Sequence, residues 1–178
     1  MKIIDLPLPG VKLIQPKAFY DERGFFLETY RQAFYRELGI DCEFVQDNHS
    51  CSKKGTIRGM HFQKSPGQAK LISVVVGEIF DVAVDIRPDS PNFLKWTGVV
   101  LRAEAHEQIF IPVGFAHGFC VLSETAHLCY KISSMYDPDE EKGFRYNDPD
   151  IGIEWPQVAP PLLSARDLNA PYFRELGI

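Results

Sequence analysis

Residues 53–87 read KKGTIRGMHFQKSPGQAKLISVVVGEIFDVAVDIR, and the order of apolar and charged groups in this stretch decides the fold class. Arg58, His61 and Lys70 flank a Ser65-Pro66-Gly67 turn. Two apolar runs follow, divided by Gly77-Glu78, a two-residue turn candidate that predicts a hairpin. From Ile79 to Ile86 the period is two: Phe80, Val82, Val84 and Ile86 share one face of a strand, and Ile79, Asp81, Ala83 and Asp85 share the other. The second face therefore mixes acids with apolar groups. It is either the wet side of an open antiparallel sheet or the lining of a barrel, and the His, Lys and Arg just upstream favour a lining that holds a site.

From Phe44 onward the chain continues in the same style. FVQDNHS, TIRGMHFQ, KLISVVV, IFDVAVDI, WTGVVLRA, EQIFIPV, GFCVLS and HLCYKISS are eight strand candidates at fairly regular spacing. That count predicts an all-β sandwich or barrel and not alternating β/α units. Upstream lie a short strand candidate at Val11–Gln15 and a turn at Asp21-Glu22-Arg23-Gly24 that leads into Phe25-Phe26-Leu27. One helix follows, with Thr29 as its cap, a partial stripe of Ala33, Phe34, Tyr35 and Leu38, and Gly39 where it stops. After Met135 the chain becomes irregular and Pro-rich, with Asp137-Pro138, Asp148-Pro149, Trp155-Pro156 and Pro160-Pro161. Such a segment is laid over a scaffold and is a usual place for ligand contacts. With no repeat and no linker, residues 1–178 read as one domain: a core at about 44–133 and a loop-rich segment, 134–178, packed on it.

Composition narrows the function. The 178 residues are 45% hydrophobic and carry a net charge of -5, which fits a globular protein with a substantial core and argues against general nucleic-acid binding. The N-terminus is broken by Asp5, Pro7 and Pro9 before any apolar run reaches signal-peptide length, so no leader, no membrane partner and a cytoplasmic location are expected. Cys42, Cys51, Cys120 and Cys129 show no C-x-x-C spacing and read as reduced thiols.

Pro112-Val113-Gly114-Phe115-Ala116-His117 matches P-x-G-x-x-H, the second half of the cupin signature. The first half requires H-x-H followed by an acid, and the chain offers His61-Phe62-Gln63. Two separate histidines without a carboxylate in register make a poor set for zinc, iron or manganese, so no metal is expected. What remains is a cupin-like jelly roll whose pocket does proton chemistry.

FVQDNHS, IRGMHFQ, AKLISVVVGEIFDVAVDIR, IPVGFAHGF, YNDPDIGIEWP and LSARDLNAP, in this order, resemble the dTDP-4-dehydrorhamnose 3,5-epimerase family from Asp21 to about Pro171. The resemblance implies a jelly-roll homodimer with strands exchanged or added across its interface. It also implies a cofactor-free isomerase acting at C3 and C5 of a dTDP-linked 4-keto-6-deoxy sugar, with a related epimerase inverting C3 alone, or using another dTDP-sugar, as the alternative. By the same resemblance His61 is the base, Asp167 its acid partner, Lys70 the cation that stabilises an enolate and Tyr130 the proton donor. Arg23, Glu28, Gln46, Asp47, Asn48, Arg58, Lys70, His117, Glu141 and Arg166 would contact substrate, and Tyr136 would stack on the thymine. The chain departs from the family pattern at Met60 and Phe62, where leucine and tyrosine are frequent, changes expected to affect sugar fit only.

The chemistry of these residue types agrees. A ketone acidifies the hydrogens on both neighbouring carbons, so inversion needs a base on one face, an acid on the other and positive charge near the carbonyl oxygen. Histidine, with a reference pKa of about 6.5, suits the base, and a carboxylate behind it fixes the tautomer. Tyrosine, with a reference pKa of about 10, stays protonated and donates. Each residue also has a plainer reading. His61 is then a bonded structural histidine, Lys70 an edge charge and Tyr130 a core residue. Asp167 in Ser164-Ala165-Arg166-Asp167 becomes part of a capping box. Arg58 and His61 have opposite strand parity, so both face one pocket only if Gly59 forms a bulge, which is expected here.

Overall fold

All eight strand candidates are strands, shared between two sheets that enclose the main core. The computed structural model describes residues 1–178. Along the chain come β1 (Lys2–Asp5), β2 (Lys12–Gln15), β3 (Ala18–Asp21), β4 (Gly24–Leu27), α1 (Gln32–Glu37), β5 (Gln46–Lys53), β6 (Ile57–Gln63) and β7 (Lys70–Val76). They are followed by β8 (Glu78–Asp85), β9 (Trp96–Arg102), β10 (Gln108–Ile111), β11 (Phe115–Val121), β12 (Thr125–Ile132), β13 (Glu141–Gly143) and α2 (Ala165–Leu168). One sheet runs β1-β2-β10-β7-β12-β5 and the other β13-β6-β11-β8-β9, with β3-β4 as a separate hairpin. This is a jelly roll, all-β apart from short helical turns. No helix is long and apolar enough to cross a membrane.

The hairpin predicted at Gly77-Glu78 is not formed. β7 pairs with β10 and β12 in one sheet, while β8 pairs with β9 and β11 in the other. Gly77, at φ +81, turns the chain between the layers, and the Ser123 hydroxyl accepts the Glu78 N–H at 2.9 Å to close that corner. A short turn between two apolar runs specifies a reversal but not the partner; the long-range ladders decide that.

Period-two alternation along β8 holds, and both of its faces are covered, so the wet-side reading fails. Ile79 and Ala83 enter the cluster between the sheets with Ile72, Val74, Phe115, Phe119 and Leu128. Phe80, Val82, Val84 and Ile86 meet Phe144, Ile151, Trp155 and Phe173 from the C-terminal segment on the outer face. Each large side chain buried there contributes roughly 1.5–3 kcal/mol, which fastens residues 144–173 to the sheet. Asp81 and Asp85 are completely buried. Asp85 is satisfied by Arg87 and Ser90, each at 2.6 Å.

The helix differs from expectation at its start. It begins at Gln32, and Arg31 in the cap position makes no side-chain cap bond. Thr29 serves through its backbone instead: its carbonyl accepts the Tyr35 hydroxyl and the Gln108 side-chain amide, each at 2.9 Å. Gly39, at φ +80, follows the last turn. α1 packs Tyr35 with Ile14, Leu71 and Phe110 on the outer face of the six-stranded sheet.

Candidate active site

A cavity of about 600 Å³ lies between the sheets. The six-stranded sheet supplies Gln46 and Asn48 from β5, Lys70 from β7 and Tyr130 from β12. The five-stranded sheet supplies Arg58 and His61 from β6 and His117 from β11, and the C-terminal segment adds Arg166 and Asp167.

The bulge expected at Gly59 is present. In the β6–β11 ladder His61 lies opposite His117 and Arg58 opposite Phe119, so three steps on β6 face two on β11. Gly59 has φ +129, and a Cβ there would come within 2.5 Å of Gly118 Cα. Only two facing glycines let the strands cross this closely. The extra residue brings Arg58 and His61 to the same cavity and turns Met60 and Phe62 into the outer cluster. The effect on sugar fit expected of those two residues is thereby corrected: neither lines the cavity.

His61 Nε2 and Asp167 Oδ1 are 2.6 Å apart, with Asp167 almost wholly buried. Burial pushes the Asp167 carboxyl up, but the bond from His61, helped by Ser164 and Arg166, leaves it below the usual carboxylate range. An ionised carboxylate only accepts, so Nε2 carries the proton and Nδ1 keeps a free lone pair. Half of the capping box is formed: the Asp167 N–H donates to Ser164 Oγ at 3.0 Å and Ser164 caps α2, while the Asp167 carboxylate goes to His61 and not back to the Ser164 N–H. One short turn therefore serves both purposes.

Lys70 is buried, and burial pulls its ammonium down to about 8, partly offset by Glu141 and Asp81. Those acids are bonded elsewhere, Asp81 to His117 at 2.9 Å and Glu141 to Arg166, which leaves the ammonium free for a ligand. The edge-charge reading of Lys70 does not apply, since β7 is an interior strand. Tyr130 is pushed above the ordinary phenol value, chiefly by burial, with Arg58 lowering it and Glu141 raising it. It stays a donor at neutral pH.

Around this centre Gln46 accepts the Tyr136 N–H at 3.1 Å and donates to Asn48 at 2.9 Å. Tyr136 stands half exposed at the cavity edge, and Arg58 is steadied by Ser52 at 3.0 Å. Three expected contacts lie outside the cavity. Asp47 points away from it because β5 alternates Gln46 and Asn48 inward and Asp47 outward, where it bonds Lys131 at 2.9 Å. Arg23 and Glu28 belong to the exposed β3–β4 hairpin and its exit, paired with Asp21 at 2.6 Å and Arg31 at 3.0 Å.

The sequence offers Ser164 only as part of a capping box and not as cavity lining, and it does not single out the apolar lining of Ile72, Phe119, Leu128 and Ile132. Strand parity with Lys70 and Tyr130 carries the signal for Ile72, Leu128 and Ile132.

Residues 5–175 match the family model described as dTDP-4-dehydrorhamnose 3,5-epimerase. The chain belongs to that family. A dTDP-4-dehydrorhamnose 3,5-epimerase of Shigella flexneri is 52% identical over 175 residues, which cover 97% of this chain and 96% of the relative. One of Neisseria gonorrhoeae is 53% identical over 168 residues, 94% of this chain, and the chain spans about half of that relative's length (51%). Among solved structures, the epimerase of Legionella pneumophila Philadelphia 1 in complex with dTDP-4-keto-L-rhamnose superposes with a TM-score of 0.95 at 47% identity, covering 97% of this chain and 93% of that one.

Proposed function

We propose that this member of the epimerase family, acting as a single domain of residues 1–178, inverts C3 and C5 of dTDP-4-dehydro-6-deoxy-D-glucose to give dTDP-4-dehydro-L-rhamnose without a cofactor. The observation that carries the reading is the His61–Asp167 pair on one sheet wall with Lys70 and Tyr130 on the other. His61 Nδ1 takes the proton beside the ketone, and the C–H electron pair moves into the carbonyl to form an enolate. The Lys70 ammonium stabilises the new oxyanion more than it stabilises the neutral ketone, which lowers the barrier. Tyr130 then gives a proton to the same carbon from the opposite side, and imidazolium and phenolate re-equilibrate through solvent. The sequence repeats at the second carbon.

Nucleotide recognition falls to Arg58 for the diphosphate and Tyr136 for the flat base, with Gln46, Asn48, His117, Glu141 and Arg166 completing the contacts. The β3–β4 hairpin exposes Phe19, Tyr20, Phe25 and Phe26, large apolar rings on both faces of a ribbon that joins neither main sheet. It supports a homodimer in which the hairpin delivers Arg23 and Glu28 to the partner's cavity. Sedimentation as a monomer at assay concentration contradicts that arrangement. Exposed, unpaired Cys51 and Cys129 suit a reducing compartment such as the cytoplasm.

The deciding experiment is incubation with dTDP-4-dehydro-6-deoxy-D-glucose in D2O, followed by mass spectrometry and NMR. Deuterium enters at both C3 and C5. Saturation at a single deuteron reassigns the chain to one-centre inversion, and no incorporation overturns the epimerase reading.

A further inference from the structure

We propose that Ser164 is a positioning residue for the reaction: by capping the single turn that carries Asp167, its side chain sets where that carboxylate stands behind His61. The inference rests on the function proposed above.

α2 is only four residues long. One helical turn has no stability of its own, because forming the first hydrogen-bonded turn is the costly step of helix formation. Something outside the turn has to hold it. Ser164 does so with extended backbone angles and a side-chain oxygen that accepts the Asp167 N–H at 3.0 Å, while its carbonyl accepts the Leu168 N–H at 3.0 Å. The Ser164 hydroxyl therefore touches the residue whose carboxylate, 2.6 Å from His61, matters chemically.

The approach to this turn is fixed by the strand that carries His61. Leu162 forms a parallel bridge with Thr56; its carbonyl accepts the Ile57 N–H at 3.0 Å and its N–H donates to Gly55 at 2.9 Å. Ile57 and His61 lie on β6, so one strand anchors the incoming chain and presents the imidazole. Between that anchor and Asp167 the chain is tied by Leu163 against the outer cluster, by the Arg166–Glu141 pair and by the Ser164 cap, and of these three only the cap bonds Asp167 itself. At the far end Asn169 closes the turn on the Ala165 carbonyl at 2.7 Å. Ser164 also lines the cavity, so direct contact with substrate is the competing role, and the test separates the two.

Ser164→Ala is compared with the parent in the full chain, alone and combined with Asp167→Asn, using exchange and turnover with the dTDP-ketosugar and calorimetry with dTDP. A displacement of about 1 Å in a reacting constellation costs on the order of 10² in rate, so Ser164→Ala lowers kcat roughly 10- to 100-fold with KM and dTDP affinity nearly unchanged. Ser164→Thr and Ser164→Asn, both good caps, restore kcat to within about threefold of the parent. On the Asp167→Asn background the same Ser164→Ala change costs less than about threefold, because a residue that acts through another adds nothing once that one is gone. The proposal is overturned by an unchanged kcat in Ser164→Ala, by an equal loss on both backgrounds, by a raised KM, or by failure of both capping variants to rescue. A parent chain that shows no exchange at all sinks the proposed function instead, which is a separate result.

Discussion

Replacing Lys70 by methionine is expected to make the protein more stable and far less active at the same time. Lys70 sits on interior strand β7 opposite Ile111 and Ile132, among Ile72, Leu128 and other cavity-lining groups. Burial holds its ammonium at about 8 where a free lysine titrates near 10.5. At about 1.4 kcal/mol for each pH unit of that difference, keeping the charge inside the fold at pH 7 costs about 3 kcal/mol. Methionine has a similar length and no charge, and it adapts to irregular apolar surroundings, so most of that cost is recovered. The pH dependence has a definite sign. Between about pH 8 and 10.5 the folded parent has released this proton while the unfolded chain still binds it, so the parent gains stability through that window and the variant does not. Urea unfolding at one fixed protein concentration, at pH 7 and again at pH 9, reads both effects. The variant leads at pH 7, and its lead shrinks by about 1 kcal/mol at pH 9. Turnover falls on the order of 10²- to 10³-fold through loss of oxyanion stabilisation. A variant less stable than the parent at pH 7, or a stability gap identical at both pH values, refutes the reasoning.

Two further substitutions test the pocket and the strand that builds it. Arg58→Ala removes a charge-assisted partner for the diphosphate and weakens dTDP binding about 10- to 100-fold in calorimetry; unchanged affinity moves the diphosphate elsewhere. Gly59→Ala places a methyl 2.5 Å from Gly118 Cα at φ +129, and a loss of about 2–4 kcal/mol in urea unfolding is expected. Parent-like stability there means that the bulge tolerates a side chain.

The parts of this fold that the sequence discloses are those written in local periodicity. β5 to β12 follow from alternation and turn residues, and the two facing sets of β8 are both real core faces. The partner of each strand is a long-range matter, which is why Gly77 reads as a hairpin and acts as a corner between sheets. Four-residue strands such as β1 and β3 are too short for a period to register. In the site, the bulge at Gly59 follows from parity: Arg58 and His61 are three apart and share a cavity. The same parity excludes Asp47 once Gln46 and Asn48 face inward, a conflict visible in the sequence and resolved only by the ladder. Asp167 lies 106 positions from its histidine, and no spacing rule connects them. Its cap motif is local and readable, its carboxylate's destination is not. Arg23 and Glu28 lie on a hairpin outside the cavity of their own chain, a placement that local pattern does not encode.

The central claim is a division of labour between two groups on facing sheets, and hydrogen exchange in His61→Asn and Tyr130→Phe tests it most directly. Both variants are compared in D2O with the dTDP-ketosugar, after each is shown to be folded and to bind dTDP like the parent. Losing the base removes proton abstraction, so His61→Asn loses exchange and turnover together, by roughly 10²- to 10⁴-fold. Losing the phenol deletes one hydroxyl and little volume, and the enolate still forms and recaptures a solvent deuteron on the face it came from. Tyr130→Phe therefore keeps washing deuterium into the substrate while its turnover falls. Exchange in Tyr130→Phe as low as in His61→Asn, or vigorous turnover by His61→Asn, contradicts the account.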